Sequence, residues 1–95
     1  MVIGILEITL YLPESHSLKE KRQIVKSLKD KVHHRFNVAI AETGDLDLWQ
    51  KASLGVCTLG NDRRHVNGRL DQVTNFVEGL QVAVDMDFQI ELMDY

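Results

Sequence analysis

Lys19, Arg22, Lys26, Lys29 and His33 recur at spacings of 3, 4, 3 and 4, which on a helix stacks them into one stripe. A row of cations does not break bonds. It displaces the counterions of a polyanion, so the chemistry this spacing suits is contact with a phosphate backbone. Residues 16–35 hold seven Lys or Arg against Glu20 and Asp30, a local charge of +5 in a chain of net charge −3. The competing reading is a solvated helix face whose charge balances an acidic surface nearby. Arg63 and Arg64 raise a related question, because they fall in the first turn of a second helix and oppose its dipole. A bound anion would account for them; simple tolerance at an exposed site is the alternative. With the two helices antiparallel, Arg63, Arg64 and His65 are expected beside His33, His34 and Arg35, forming a basic end.

Other reactive side chains offer less. His16 and His33 stand about 17 helical residues, roughly 25 Å, apart and cannot share an ion. His33 or His34 could approach His65, but no Cys or carboxylate supplies an obvious third ligand. Neither a metal nor a cofactor is therefore expected. Cys57 sits mid-strand among apolar neighbours and reads as a small buried thiol, not a nucleophile. No phosphate-binding glycine loop, nucleophile elbow or H-E-x-x-H motif is present. Glu7 and Glu91 could pair on an open sheet face, where acidic residues are common, and no catalysis is expected. Trp49, the sole tryptophan, either closes the core edge or stands exposed as an anchor for a partner protein.

These residues must be held by regular elements, and the hydrophobic pattern supplies them. Val2 to Leu12 alternates, with Leu6, Ile8 and Leu10 on one side, as a half-buried strand does. Ser17 and Glu20 then make the S-x-x-E signature of a helix start. Leu18, Ile24, Val25, Leu28, Val32 and Phe36 share one arc, so helix 1 runs to about Arg35. Lys21 falls inside that arc, with its stem expected along the core edge and its ammonium reaching out. Residues 37–43 and 52–59 read as strands, joined by a polar segment whose Asp45 and Asp47 could neutralise Lys19, Lys21 or Arg22. Asn61 or Asp62 caps a second helix with the stripe Val66, Leu70, Val73, Val77 and Leu80, weakened in its first turns by Gly68. Residues 86–93 alternate again, with Phe88, Ile90 and Leu92 inward. The order β-α-β-β-α-β predicts an α+β ferredoxin-like sandwich over residues 1–95, a four-stranded antiparallel sheet with both helices on one face. The open face, bearing Glu7, Asp87, Gln89 and Glu91, is expected to be mainly polar and acidic. Of the aromatics on which RNA-recognition sheets stack bases, the central strands offer only Tyr11, near the end of the first.

With 95 residues and 44% hydrophobic composition, the chain reads as one globular domain. No apolar run reaches the roughly 20 residues of a membrane span, and the first strand lacks the basic n-region of a signal peptide. The single cysteine suits a reducing, cytoplasmic setting.

His16 to Arg22 (H-S-L-K-E-K-R), His34 to Asn37 (H-R-F-N) and Asp47 to Gln50 (D-L-W-Q), in that order, resemble the bacterial YlxP-like family of unknown function. The resemblance spans essentially the whole chain and implies a ferredoxin-like fold. Genes of that family often sit among those for transcription elongation, translation initiation and ribosome-binding factor A, which implies by association a role in ribosome maturation. The expectation is a non-catalytic accessory protein touching ribosomal RNA or a ribosome precursor through Lys19, Arg22, Lys26, Lys29, His33, Arg35, Arg63 and Arg64. The alternative is a protein-interaction or homodimerisation module that uses Trp49, a free strand edge or the open sheet face.

Overall fold

In the computed structural model, which describes residues 1–95, the elements run β1 (Val2–Tyr11), α1 (Leu18–Arg35), β2 (Ala39–Gly44), β3 (Lys51–Gly60), α2 (Arg63–Leu80) and β4 (Asp85–Asp94). The strands form one antiparallel sheet in the order β2-β3-β1-β4. This is the ferredoxin-like βαββαβ arrangement that the element order predicts. Alternation decides which side of each strand is buried. Leu6, Ile8 and Leu10 of β1 and Ala52, Leu54 and Val56 of β3 face inward, where Ile40, Phe88, Ile90 and Leu92 join them. The helices cover this side with Val25, Leu28 and Val32 from α1 and Val66, Leu70, Val73 and Val77 from α2. α1 lies over β2, and α2 over β1, β3 and β4.

Local chemistry fixes the ends of the helices. Ser17 accepts a hydrogen bond from the Glu20 N–H, and the Glu20 carboxylate accepts one from the His16 N–H, satisfying orphan donors at the start of α1. Asp62 does the same for α2, accepting from the N–H groups of Arg64 and His65. Gln81, in a left-handed conformation at φ 52°, ends α2. Gly4 sets how closely α2 approaches the sheet, since a Cβ there would lie 2.5 Å from Val66 Cγ1 and 2.8 Å from Leu70 Cδ1.

The open sheet face departs from expectation. Glu7, Asp87, Gln89 and Glu91 are there and exposed, but only across part of it. Ile3 pairs with Leu59 and Met93, and Ile5 with Cys57, so one half of the face is apolar. Leu59 is 59% exposed and Met93 40%. Cys57 is exposed too, which corrects its reading as a buried thiol. The inward phase of β3 belongs to its even-numbered residues, and the small side chain of Cys57 takes the other phase.

Gly68 does not interrupt α2, which is continuous from Arg63. A Cβ at residue 68 would meet nothing within 4 Å, so Gly68→Ala should stabilise the protein by about 0.5–1 kcal/mol through helix propensity. The urea midpoint is expected to rise with an unchanged slope. Gly4→Ala, by contrast, should lower it, because its methyl group would displace Val66 or Leu70.

Candidate functional site

α1 divides its cations between two environments. Lys21 occupies the same inward line as Val25, Leu28 and Val32 and is 0% exposed. Its ammonium does not reach out past the core edge, as its amphipathic stem suggests, but points into the β2–β3 hairpin. It donates to the carbonyls of Asp45 at 2.6 Å and Lys51 at 3.1 Å, and at longer reach to Leu46 at 3.4 Å. Glu42 Oε2 lies 3.0 Å from Nζ. This buried oxygen has no other partner, so the ammonium charge holds it in place. The pairing Ile40↔Val56 and Glu42↔Leu54 puts Glu42 on the helix side of β2, and a bulge before Gly44 then lets the chain turn.

The loop is fastened from other sides as well. Asp45 is left-handed at φ 57°, its carbonyl also accepts from the Leu48 N–H, and its carboxylate accepts from the Ser53 hydroxyl. The carboxylate lies 3.7 Å from Lys51 Nζ. The Ser53 hydrogen bond holds the Asp45 carboxyl below its usual range; desolvation opposes this, and the Lys51 charge adds to it. Asp45 and Asp47 therefore do not neutralise Lys19 or Arg22. The Gln50 side-chain amide donates to the carbonyls of Pro13 and Ser15, and the Gln50 carbonyl accepts from the Leu12 N–H. In this way Lys21 and Gln50, distant in sequence, each fasten the β2–β3 hairpin to the β1–α1 side of the molecule.

The rest of the basic stripe is outside. Lys19, Arg22, Lys26 and His33 are exposed and Lys29 is half-buried. Only Lys26 has an ion-pair partner in the chain, Asp30 at 3.2 Å, and both are well exposed. Arg35 lies over the rings of Phe76, at 5.1 Å, and Phe36, at 6.0 Å, so part of its charge is spent on packing. The two rings meet edge-on.

The expected basic end is not assembled as one cluster. Arg35 stacks beside Phe76, which lies thirteen residues beyond Arg63 in α2, or roughly 20 Å along the helix. Arg63 instead pairs with Asp94 at 3.0 Å, and the Asp62 carboxylate already occupies the α2 N-terminus. The chain itself supplies an anion for Arg63 and a carboxylate for the helix end, while the Arg64 side chain is left exposed without an ion-pair partner. No group of three or more His, Cys, Asp or Glu side chains is placed to hold a metal ion. No helix is long and apolar enough to cross a membrane.

Trp49 is 53% exposed, and Leu46 and Leu48 beside it are exposed too, so the ring does not close the core edge. Sequence reasoning missed two features: the buried ammonium and the apolar half of the open face. The first left a signal in Lys21 falling within the apolar arc. The second left one in residues 2–6, VIGIL, which are apolar in both phases.

Residues 3–90 match a family model described as a protein of unknown function (DUF503). The chain is 34% identical over 77 residues to the uncharacterized protein YlxP of Bacillus subtilis (strain 168), across 81% of this chain and 84% of that one. In structure it is similar to the de novo designed protein Foldit4, with a TM-score of 0.56 and 10% identity over 99% of this chain and 97% of that one. At that identity the likeness concerns the fold alone.

Two predictions follow the geometry of Lys21 and Asp45. Lys21→Met should cost about 3–5 kcal/mol in urea unfolding, because it leaves Glu42 buried without its counter-charge. Adding Glu42→Leu should recover part of that loss, the remainder reflecting carbonyls that lose the ammonium. Because the folded-state pKa of Asp45 is depressed, its contribution to stability is present above the ordinary carboxylate value and is lost as pH falls through the folded-state value. Asp45→Asn should accordingly flatten the acid limb of a stability–pH curve and leave its shape near neutrality unchanged.

Proposed function

The chain belongs to the DUF503 family of proteins of unknown function, and on that premise we propose that it is a non-catalytic accessory protein that contacts ribosomal RNA or a ribosome precursor through the surface of α1. The observation that carries this reading is the row Lys19, Arg22, Lys26 and His33, all exposed, with the half-buried Lys29 among them, of which only Lys26 is paired within the chain. A protein with a net charge of −3 has little long-range attraction for a polyanion, so contact depends on this local row. Arg35 continues the row as a secondary contact; Arg63, committed to Asp94, and Arg64, at the start of α2, contribute less. The one aromatic ring on the central strands is Tyr11, at the end of β1 and hydrogen-bonded to Asp87, too little to stack successive bases, so the contact is to backbone phosphates and has little sequence preference.

A second reading, a protein-interaction or dimerisation module, is favoured by the exposed Leu46, Leu48 and Trp49 and by the apolar half of the open face. Large exposed apolar patches mark interaction surfaces. The two readings use different faces and are compatible.

Binding to purified ribosomal RNA should fall steeply between about 50 and 200 mM salt. Lys19→Glu with Lys26→Glu, both at exposed positions, should weaken it by about tenfold or more and make the salt dependence shallower. No binding at low salt, or binding indifferent to the double charge reversal, would sink the proposal.

A further inference from the structure

The sheet has two free edges, and they are unlike. β4 carries Asp85, Asp87, Glu91 and Asp94 along its length, the charged character that discourages a further strand from adding. β2, at the other edge, reads Ala-Ile-Ala-Glu-Thr-Gly. Its one charged residue, Glu42, is turned inward to Lys21, and it contains no proline. Its outer backbone groups are therefore presented without a charged guard.

Above this edge runs one side of α1. At 100° per residue, Arg22, Lys29 and His33 fall within about 40° of one another. Lys29 and His33 line a shallow groove with Ile40 of β2, together with Asp30 and His34. Asp30 is engaged by Lys26, whereas Arg22 and Lys29 have no partner in the chain. An unguarded strand edge thus lies beneath two uncompensated cations and an imidazole.

We propose that the β2 edge of the sheet accepts an extended acidic polypeptide segment as a fifth strand, its main chain paired with β2 and its alternate carboxylates facing Arg22, Lys29 and His33. Strand addition draws its affinity from main-chain hydrogen bonds and its selectivity from side chains on one face; here that face is cationic. A second copy of this chain is a poor occupant. Pairing β2 with its own counterpart would bring two α1 rows of like charge together. Offering β4 instead would turn Asp85, Asp87 and Glu91 to the face away from the helices, since it is Phe88, Ile90 and Leu92 that pack inward. The inference goes beyond the RNA reading but shares Arg22, Lys29 and His33 with it, so the test separates the two.

The probe is a nine-residue peptide alternating glutamate and threonine, titrated against the intact protein and followed by amide NMR shifts and hydrogen exchange. The expected result is saturable binding, with shifts and new protection concentrated in residues 39–43. Affinity should drop at least tenfold with Lys29→Glu plus His33→Glu, and similarly when alternate peptide amides are N-methylated. Lys19→Glu plus Lys26→Glu should leave peptide binding unchanged, although the RNA reading needs those two residues. Four results would overturn the inference: no binding, shifts that map to β4, an N-methylated peptide that binds equally well, or an oligouridylate that protects the β2 amides when the peptide does not. The N-methylation arm uses the unaltered protein, so it does not depend on any variant folding.

Discussion

A lysine with no solvent exposure sits at the junction of α1 and the β2–β3 hairpin, and its satisfaction constrains everything around it. Removing an ammonium from water costs several kcal/mol unless charge and hydrogen bonds replace what water supplied. Lys21 finds three carbonyls and one carboxylate, all on the hairpin. Those acceptors converge only if Glu42 faces the helix, the strand bulges before Gly44, and Asp45 turns left-handed. The loop's shape and the seating of the first turn of α1 are thus set together. The side-chain amide of Gln50, clasping Pro13 and Ser15, secures the same end from the other side.

This constraint also sorts the charges. Because Lys21 takes Glu42 and Lys51 lies against Asp45, the acids nearest the start of α1 are already used. Apart from Lys26, which pairs with Asp30, the outward lysines and arginines keep their charge unbalanced, so the segment still carries its cationic charge to the surface without the buried Lys21. At the far end of the sheet the opposite happens. Asp94 pairs with Arg63 and the Asp62 carboxylate caps the start of α2, so part of the cationic character there cancels. The molecule therefore has one strong cationic side, running along α1 above the unguarded edge of β2, with acidic and apolar surface on the open face. Polyanion contact and strand addition are both consequences of that asymmetry.

The motifs shared with the YlxP-like proteins look different in this light. Ser17 and Glu20 cap the helix, Leu18 opens its apolar face, Lys21 is the internal ammonium and Gln50 is the clasp. These positions fix the start of α1 and fasten the hairpin to it and to the segment before it. Lys19 and Arg22 alone face outward from the first stretch, and Trp49 from the second.

Element order, the faces of β1 and both helices, the cap at Ser17 and the placement of the cationic stripe were legible in the sequence, because each depends on spacing along a single element. A period of 2 or 3.6 carries that information without reference to anything distant. The destination of Lys21 depended on hairpin carbonyls 24 to 30 residues away, so only the assembled hairpin could decide that the ammonium is internal. Cys57 and Leu59 turned outward because Ala52, Leu54 and Val56 hold the inward phase of β3, a choice that a strand with apolar residues in both phases leaves to packing. Arg63 and Arg64 showed the same limit: their spacing announced an unsatisfied helix end, and it was Asp94, at the other side of the chain, that answered one of them. Local periodicity settled the fold; the partner of each charge was settled only when the sheet brought distant residues together.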